Sequence, residues 1–367
     1  MDILVLGNGF DIAHNLPTQY SDFLDFLKSF AVDEESIYTG VIQIWQETKK
    51  PLYKEICEHL KHNQLVDYFL SIYSKRCAEG KRGWIDFEKE ISFIVQEMDR
   101  ARLYVSERSY SENQYVEAPR NLFQNIEPLL FLNEEGKYVI PSAVSLPYFD
   151  NLASRLLSEL NQLIRLLEIY LYEYVENLPN NVQYKCLKTK KIDRVLSFNY
   201  TDTYSKLYES KRPVEYCYVH GKASGNSCIN RCNLVLGIDE YIKDERKNND
   251  NQFVWFKKFY QRIYKQTGSE YCDWIDEIEK AASKKFDDVF NHHLYIVGHS
   301  LDVTDKDILS KLILMNNTRT FIFYHSPEAM SKQISNLIRL IGEDELILRT
   351  GGSKRKIVFR PVSALLH

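Results

Sequence analysis

The chain has 367 residues, 44% of them hydrophobic, enough for two ordinary domains or for one domain carrying a large insertion, and a formal net charge of −4 gives no global attraction to nucleic acid or to an anionic membrane. No apolar stretch approaches the ~20 residues that span a bilayer. Seven scattered cysteines, behind an apolar start too short for a signal core, lead us to expect reduced thiols in a cytoplasm and no disulfide framework. In chain order, residues 2–6 read as a buried strand that would be covered on both faces. It runs into Gly7-Asn8-Gly9, which fills two of the three glycine positions of the dinucleotide fingerprint, where the second glycine lets backbone approach a pyrophosphate. The third position is Ile12, and no second strand bearing an acid follows about 20 residues later, so an ordinary nicotinamide dehydrogenase is not expected. Taken alone, the turn equally fits a plain strand-to-helix junction with Asp11 as N-cap.

From about residue 20 to 185 strand signals nearly vanish. Helical spacing takes their place at Phe87, Ile91, Ile94 and Met98 and at Leu152, Leu156, Leu160, Leu163 and Leu167, with exposed loops predicted in 106–145. After Lys190 the strands return in "DRVLSFNYT", "VEYCYVHG", "NLVLGID", "HLYIVGHS", "RTFIFYHS" and "KIVFRPV", with helices predicted over 252–264 and 304–316. The pattern predicts an α/β, Rossmann-like, mostly parallel sheet formed by residues 1–20 and 190–367 and interrupted by a large helical insertion, 21–189. Ligands of such sheets sit outside the carboxyl ends of the strands, so Gly7 to Asp11, Asn199, His220 and Gly298 to Asp302 should converge on one site.

Four segments resemble sirtuins in the family's order. Gly7-Asn8-Gly9-Phe10-Asp11 followed by Asn15-Leu16-Pro17 is similar to Gly-Ala-Gly-x-Ser-x-x-x-Gly-Ile-Pro. Asn15 stands where that family has glycine, a tolerable exchange because asparagine enters the left-handed region at small cost. "SFNYTD" resembles Gln-Asn-Ile-Asp, "VHG" the catalytic His-Gly, and "GHSLDV" the Gly-Thr-Ser-Leu-x-Val near the adenosine half of NAD. A closer resemblance is to the AbiH-type abortive-infection proteins of phage defence, through "GNGFD", "NLPT.Y.DF", "SFNYT", "VHG", "VGHSLD..D" and, loosely, "WIDFEKEI" around Trp84.

The resemblance implies a phage-defence effector that hydrolyses NAD, its substrate and not a cofactor, to nicotinamide and ADP-ribose. Asn199 would position ribose or water and His220 would act as general base. Gly7, Asn8, Gly9, Phe10, Asp11, Pro17, Asp202, Gly298, Ser300, Leu301 and Asp302 would line the nucleotide site. A carboxylate at Asp11 would compete with a pyrophosphate, which favours a ribose or capping role for it. Cys217, Cys228, Cys232 and Cys272 do not form the two close pairs of a zinc module, so no metal is expected, and NAD hydrolysis is a better expectation than protein deacylation. A phage-derived trigger or partner protein and a homo-oligomer fit such an effector; a membrane does not.

Two competing readings come from other classes. "GHSLD" begins like a hydrolase nucleophile elbow but ends in Asp302 where glycine is needed, and leaves His325 and His367 as the only later histidines. "FVWFKKFYQRIYK" interleaves aromatics with Lys257, Lys258, Arg262 and Lys265, as a single-strand nucleic-acid binder or sensor would. Its spacing favours a helix with Phe253, Phe256, Phe259, Tyr260 and Ile263 on a core and the basic residues in water.

Overall fold

The side chains of Ile3, Leu4, Val5 and Leu6 are all buried, although they alternate in direction, because this short strand lies in the middle of a sheet covered on both faces. The computed structural model describes residues 1–31, 36–80, 85–108, 115–117, 126, 143–208, 212–225, 228–242, 246, 250–282 and 290–366. Its sheet comprises β1 (Asp2–Leu6), β2 (Arg194–Ser197), β3 (Glu215–Tyr218), β4 (His292–Val297), β5 (Thr318–Tyr324) and β6 (Ile357–Pro361), in the order β3-β2-β1-β4-β5-β6. Every neighbouring pair is parallel, with Leu4 beside Val195 on one flank and Tyr295 on the other. This is the doubly wound, Rossmann-like α/β fold that the strand pattern predicts. The chain reverses its direction of winding between β1 and β4, the place where such sheets open a ligand crevice.

Alternate strand residues feed two cores. Ile3, Val5, Leu196, Leu294 and Ile296 pack with α11 (Tyr271–Ala282), α12 (Lys306–Leu314) and α13 (Pro327–Ile341). Leu4, Leu6, Val195, Tyr295 and Val297 pack with α1 (Asn8–Ala13), α8 (Lys185–Thr189) and α9 (Thr203–Tyr208). Between β1 and β2 stand α2 (Tyr20–Ala31), α3 (Thr39–Thr48), α4 (Lys50–Leu60), α5 (Gln64–Ala78), α6 (Phe87–Arg108) and α7 (Leu146–Ile169). The predicted stripes of α6 and α7, from Phe87 to Met98 and from Leu152 to Leu167, are buried in a third core. That core also takes in Leu234, Leu236, Phe253 and Phe256 from the far side of β3. Most of the loop predicted in 106–145 lies outside the described residues; what is described there includes the end of α6 and a two-residue antiparallel pairing of Val116–Glu117 with Ala143–Val144.

Two sequence expectations are corrected. "NLVLGID" joins no sheet: its apolar side chains are buried, but the Val235 amide donates to His220 O (2.8 Å), and the Gln261 side chain accepts from Leu236 N (3.0 Å) and donates to its carbonyl (3.0 Å). A side chain and a turn satisfy the backbone groups that a ladder would otherwise satisfy. The helix predicted over 252–264 is a single 3-10 turn, Val254–Phe256, followed by α10 (Lys258–Lys265). The extended residue Lys257 between them resets the helical phase, so Lys258 is buried while Phe259 and Ile263 are 45% and 73% exposed.

Candidate functional site

The carboxyl ends of β1 and β4 touch through their backbones, and this contact explains the glycines. A Cβ on Gly7 would lie 2.6 Å from His299 Cα, and one on Gly9 would lie 2.9 Å from Gly298 O. The Gly9 amide donates to Gly298 O (2.8 Å) and the Phe10 amide to Gly7 O (2.9 Å), so neither is available to a phosphate. The glycines of the "GNG" turn thus allow the close crossing of two strand ends. Gly298 has φ +69°, and a Cβ there would lie 2.1 Å from Phe10 N. Gly298→Ala is expected to cost on the order of 3–5 kcal/mol, through the disfavoured φ and the backbone clash together. Denaturant unfolding measures this, and a variant as stable as the parent would refute the account.

Above this crossing lies a cleft of about 490 Å³, within the range of small-molecule sites. Gly7, Asn8, Gly9 and Asp11 line it from the end of β1 and α1, and Asn199 and Thr201 from the end of β2. His220 follows β3, while Gly298, Ser300 and Asp302 follow β4. The helical block closes it with Ile85, Asp86 and Glu88 near the start of α6 and with Leu167 and Leu171. Residues from four sequence-distant strand ends thus meet. Four residues expected at the site do not line the cleft. Phe10 packs against His14, Tyr184, Tyr204 and Tyr208; the Pro17 carbonyl accepts from Tyr170 OH (2.7 Å). Asp202 accepts from Tyr218 OH (2.5 Å) and Lys222 Nζ (3.3 Å), and Leu301 is buried with φ +59°. Asn15 does adopt the left-handed conformation, φ +60°.

Asp11 is neither exposed nor an N-cap. Gly7 caps α1, and the Asp11 carboxyl is buried, its Oδ2 accepting from Thr201 Oγ1, which in turn accepts from Thr203 Oγ1 (3.1 Å). Burial pushes Asp11 up to about 6, with Glu176 adding to the shift and the hydroxyl of Thr201 opposing it. Asn199 donates from Nδ2 to Gly7 O (3.1 Å), tying the ends of β1 and β2, while its Oδ1 is buried and makes no hydrogen bond.

His220 stands at the edge of a buried ionic cluster that sequence reasoning missed. Its Nε2 lies 3.2 Å from Asp305 Oδ1. Lys258 Nζ donates to the same Asp305 oxygen (3.0 Å) and lies 2.9 Å from Glu88 Oε1. His299 Nε2 is 3.7 Å from Asp305 Oδ2, and its Nδ1 accepts from Leu301 N (2.9 Å). Burial would raise Asp305, but the charge of Lys258 and then the hydrogen bond of His220 hold it well below the carboxylate range. Burial also opposes charge on Lys258, yet Asp305 and Glu88 together hold it protonated. Burial pushes Glu88 up to about 7 even with Lys258 beside it. His220 is lowered by burial and then by Lys258, and burial takes His299 down to about 4. Both imidazoles are therefore neutral near pH 7.

The signals for these residues were present but misread. Asp305 is the last letter of "GHSLDVTD" and Glu88 stands in "WIDFEKEI", whose Trp84 lies outside the described residues. Lys258 was expected in water and is buried. Among the described residues no His, Cys, Asp and Glu group is arranged to hold a metal ion, and no helix is long and apolar enough to cross a membrane. All seven cysteines are free thiols.

No curated protein and no solved structure matches the chain. A family model described as bacteriophage abortive infection AbiH matches residues 3–324, which takes in every residue of the cleft except Lys332 and His325. By that match the chain belongs to the AbiH family of bacteriophage abortive infection.

Proposed function

We propose that the protein acts in abortive infection by hydrolysing NAD to nicotinamide and ADP-ribose in this cleft. The observation that carries the reading is the meeting, at the topological switch point, of Asn199 with its orphaned oxygen and a neutral His220 backed by Asp305. The pyridinium–ribose bond breaks through an oxocarbenium-like transition state as neutral nicotinamide leaves. Carboxylates at Asp11, Asp86, Asp302 and Asp305 in the lining suit that developing cation, and Lys332 in the same lining supplies positive charge for the diphosphate. With Nε2 turned to Asp305, His220 keeps Nδ1 to accept a proton from a ribose hydroxyl or water. The resemblance of "SFNYTD" and "VHG" to sirtuin segments supports the same pairing of roles.

The nucleic-acid reading loses its main support. Lys257 pairs with Glu240 (2.8 Å), Lys258 with Glu88 and Asp305, and Arg262 with Asp307; Lys265 donates to Leu234 O (2.5 Å). The hydrolase-elbow reading is no stronger. Ser300 and His325 both line the cleft, yet no hydrogen bond joins them among the described residues, and His367 lies outside those residues. The test expresses wild type, Asn199→Ala and His220→Ala in a bacterial host under phage challenge while NAD and nicotinamide are measured. NAD should fall on infection with the wild type alone. Unchanged NAD in a strain that the wild type nevertheless protects would sink the reading.

A further inference from the structure

We propose that the outer face of α14 (Glu343–Thr350) docks onto the same face of a second copy of this chain, the two helices lying antiparallel about a two-fold axis. Every residue of α14 and of the loop after it is described and none lines the cleft, so the pairing is independent of the NAD reading.

One face of α14 is anchored. Leu346 and Arg349 are buried, and the Arg349 guanidinium donates to Ile313 O (3.2 Å), Leu314 O (3.3 Å) and Glu345 Oε1 (2.5 Å). On the other face Ile347 and Leu348 are 62% and 74% exposed. Residues four apart share a helix face, so Glu343 stands one turn before Ile347 and Asp344 one turn before Leu348, and both acids are exposed. Past the end of the helix come Gly351, Gly352, Ser353, Lys354 and Arg355, all exposed. The Lys356 amide donates to Arg349 O (2.7 Å), which holds this basic loop against the end of the helix. The outer face therefore runs acid, apolar, base along a helix about 12 Å long.

That order is complementary to its own reverse. An antiparallel pair sets Glu343 and Asp344 of each copy against Lys354 and Arg355 of the other, and closes Ile347 and Leu348 over the same two side chains of the second copy. This is the isologous contact of a two-fold dimer. A parallel pair would set acid against acid. An anionic membrane or a nucleic acid would attract the basic loop but repel the acidic turn. The helix dipole accounts for acids in the first turn, but not for two adjacent aliphatic side chains left in water. The charged ends thus set register and orientation while the aliphatic centre supplies the burial. So short a centre places the pairing at the weak end of protein interfaces, with a Kd on the order of micromolar.

Sedimentation equilibrium of the full chain tests the proposal. The wild type should pass from monomer to dimer as its concentration rises through the micromolar range, whereas Ile347→Asp with Leu348→Asp should stay monomeric at an unchanged urea midpoint. Charge reversal tests the orientation. Glu343→Lys with Asp344→Lys, and separately Lys354→Glu with Arg355→Glu, should each weaken self-association by about tenfold or more. An equimolar mixture of these two variants should pair again, because each end then meets its opposite, and a misfolded variant would not recover on mixing. A wild type that stays monomeric up to about 100 μM, a dimer indifferent to the loss of Ile347 and Leu348, or a mixture that pairs no better than its components overturns the proposal. So does a monomeric wild type that binds anionic phospholipid vesicles through this face.

Discussion

His220→Ala is expected to lower NAD hydrolysis by about 10²–10⁴-fold, the usual contribution of a positioned general base. The loss corresponds to about 3–5 kcal/mol of transition-state stabilisation. It should appear without loss of the fold, because His220 is neutral and its removal leaves Asp305 still paired with Lys258 at 3.0 Å. Nicotinamide release by the triggered protein reads the effect, and a variant as active as the parent would remove His220 from the chemistry. The pH profile adds a second reading. Burial lowers His220 and takes His299 down to about 4, so both imidazoles are already neutral at pH 7. Asp11 lines the cleft and is pushed up to about 6, so its charge, which favours the cationic transition state, appears as pH rises through about 6 and the rate should climb with it. Asp11→Asn should abolish that limb and slow hydrolysis.

The fold was largely legible because its signals are local. An apolar run such as Leu4-Val5-Leu6 must be covered on both faces, and strands returning only after residue 190 place the helices between β1 and β2. The convergence of Gly7, Asn199, His220 and Gly298 was legible for the same reason, since the carboxyl end of each strand carries its turn residues. What local pattern could not reveal was pairing across the chain. Lys258 meets Glu88 170 positions earlier and Asp305 47 positions later, and a period drawn through residues 253–263 crosses the phase break at Lys257. The "GNG" turn shows the other limit. Its glycines were evident, but whether they admit a ligand or a crossing backbone depends on Gly298, almost 300 residues away.

Lys258→Met should destabilise the protein by about 3–5 kcal/mol, because it leaves Asp305 and Glu88 buried without their shared cation. In the wild type the two carboxyls depend on pH in opposite ways. Asp305 is held well below its unfolded value, so its stabilisation is present above about pH 4 and is lost as the pH falls toward its folded value. Glu88 is raised to about 7, so the stability linked to it is full below its unfolded value and is lost as pH rises through about 7. Without Lys258, burial sets the preference of Glu88 for the neutral form, and Asp305 keeps only its contacts with His220 and His299 against the same burial. The deficit of the variant should therefore be larger at pH 8 than at pH 5, and urea midpoints at the two pH values measure it. Glu88→Gln added to Lys258→Met should recover part of the loss at pH 8, because it removes one of the two uncompensated charges. An equal deficit at both pH values would mean that Lys258 supports the cleft by packing alone. Glu88 comes from α6 and Asp305 from the segment after β4, so the same lysine ties the helical block to the wall that carries His220. A loss of NAD hydrolysis in Lys258→Met relative to the wild type at pH 7, in denaturant-free buffer where the variant remains folded, would show that this tie also sets the position of the imidazole.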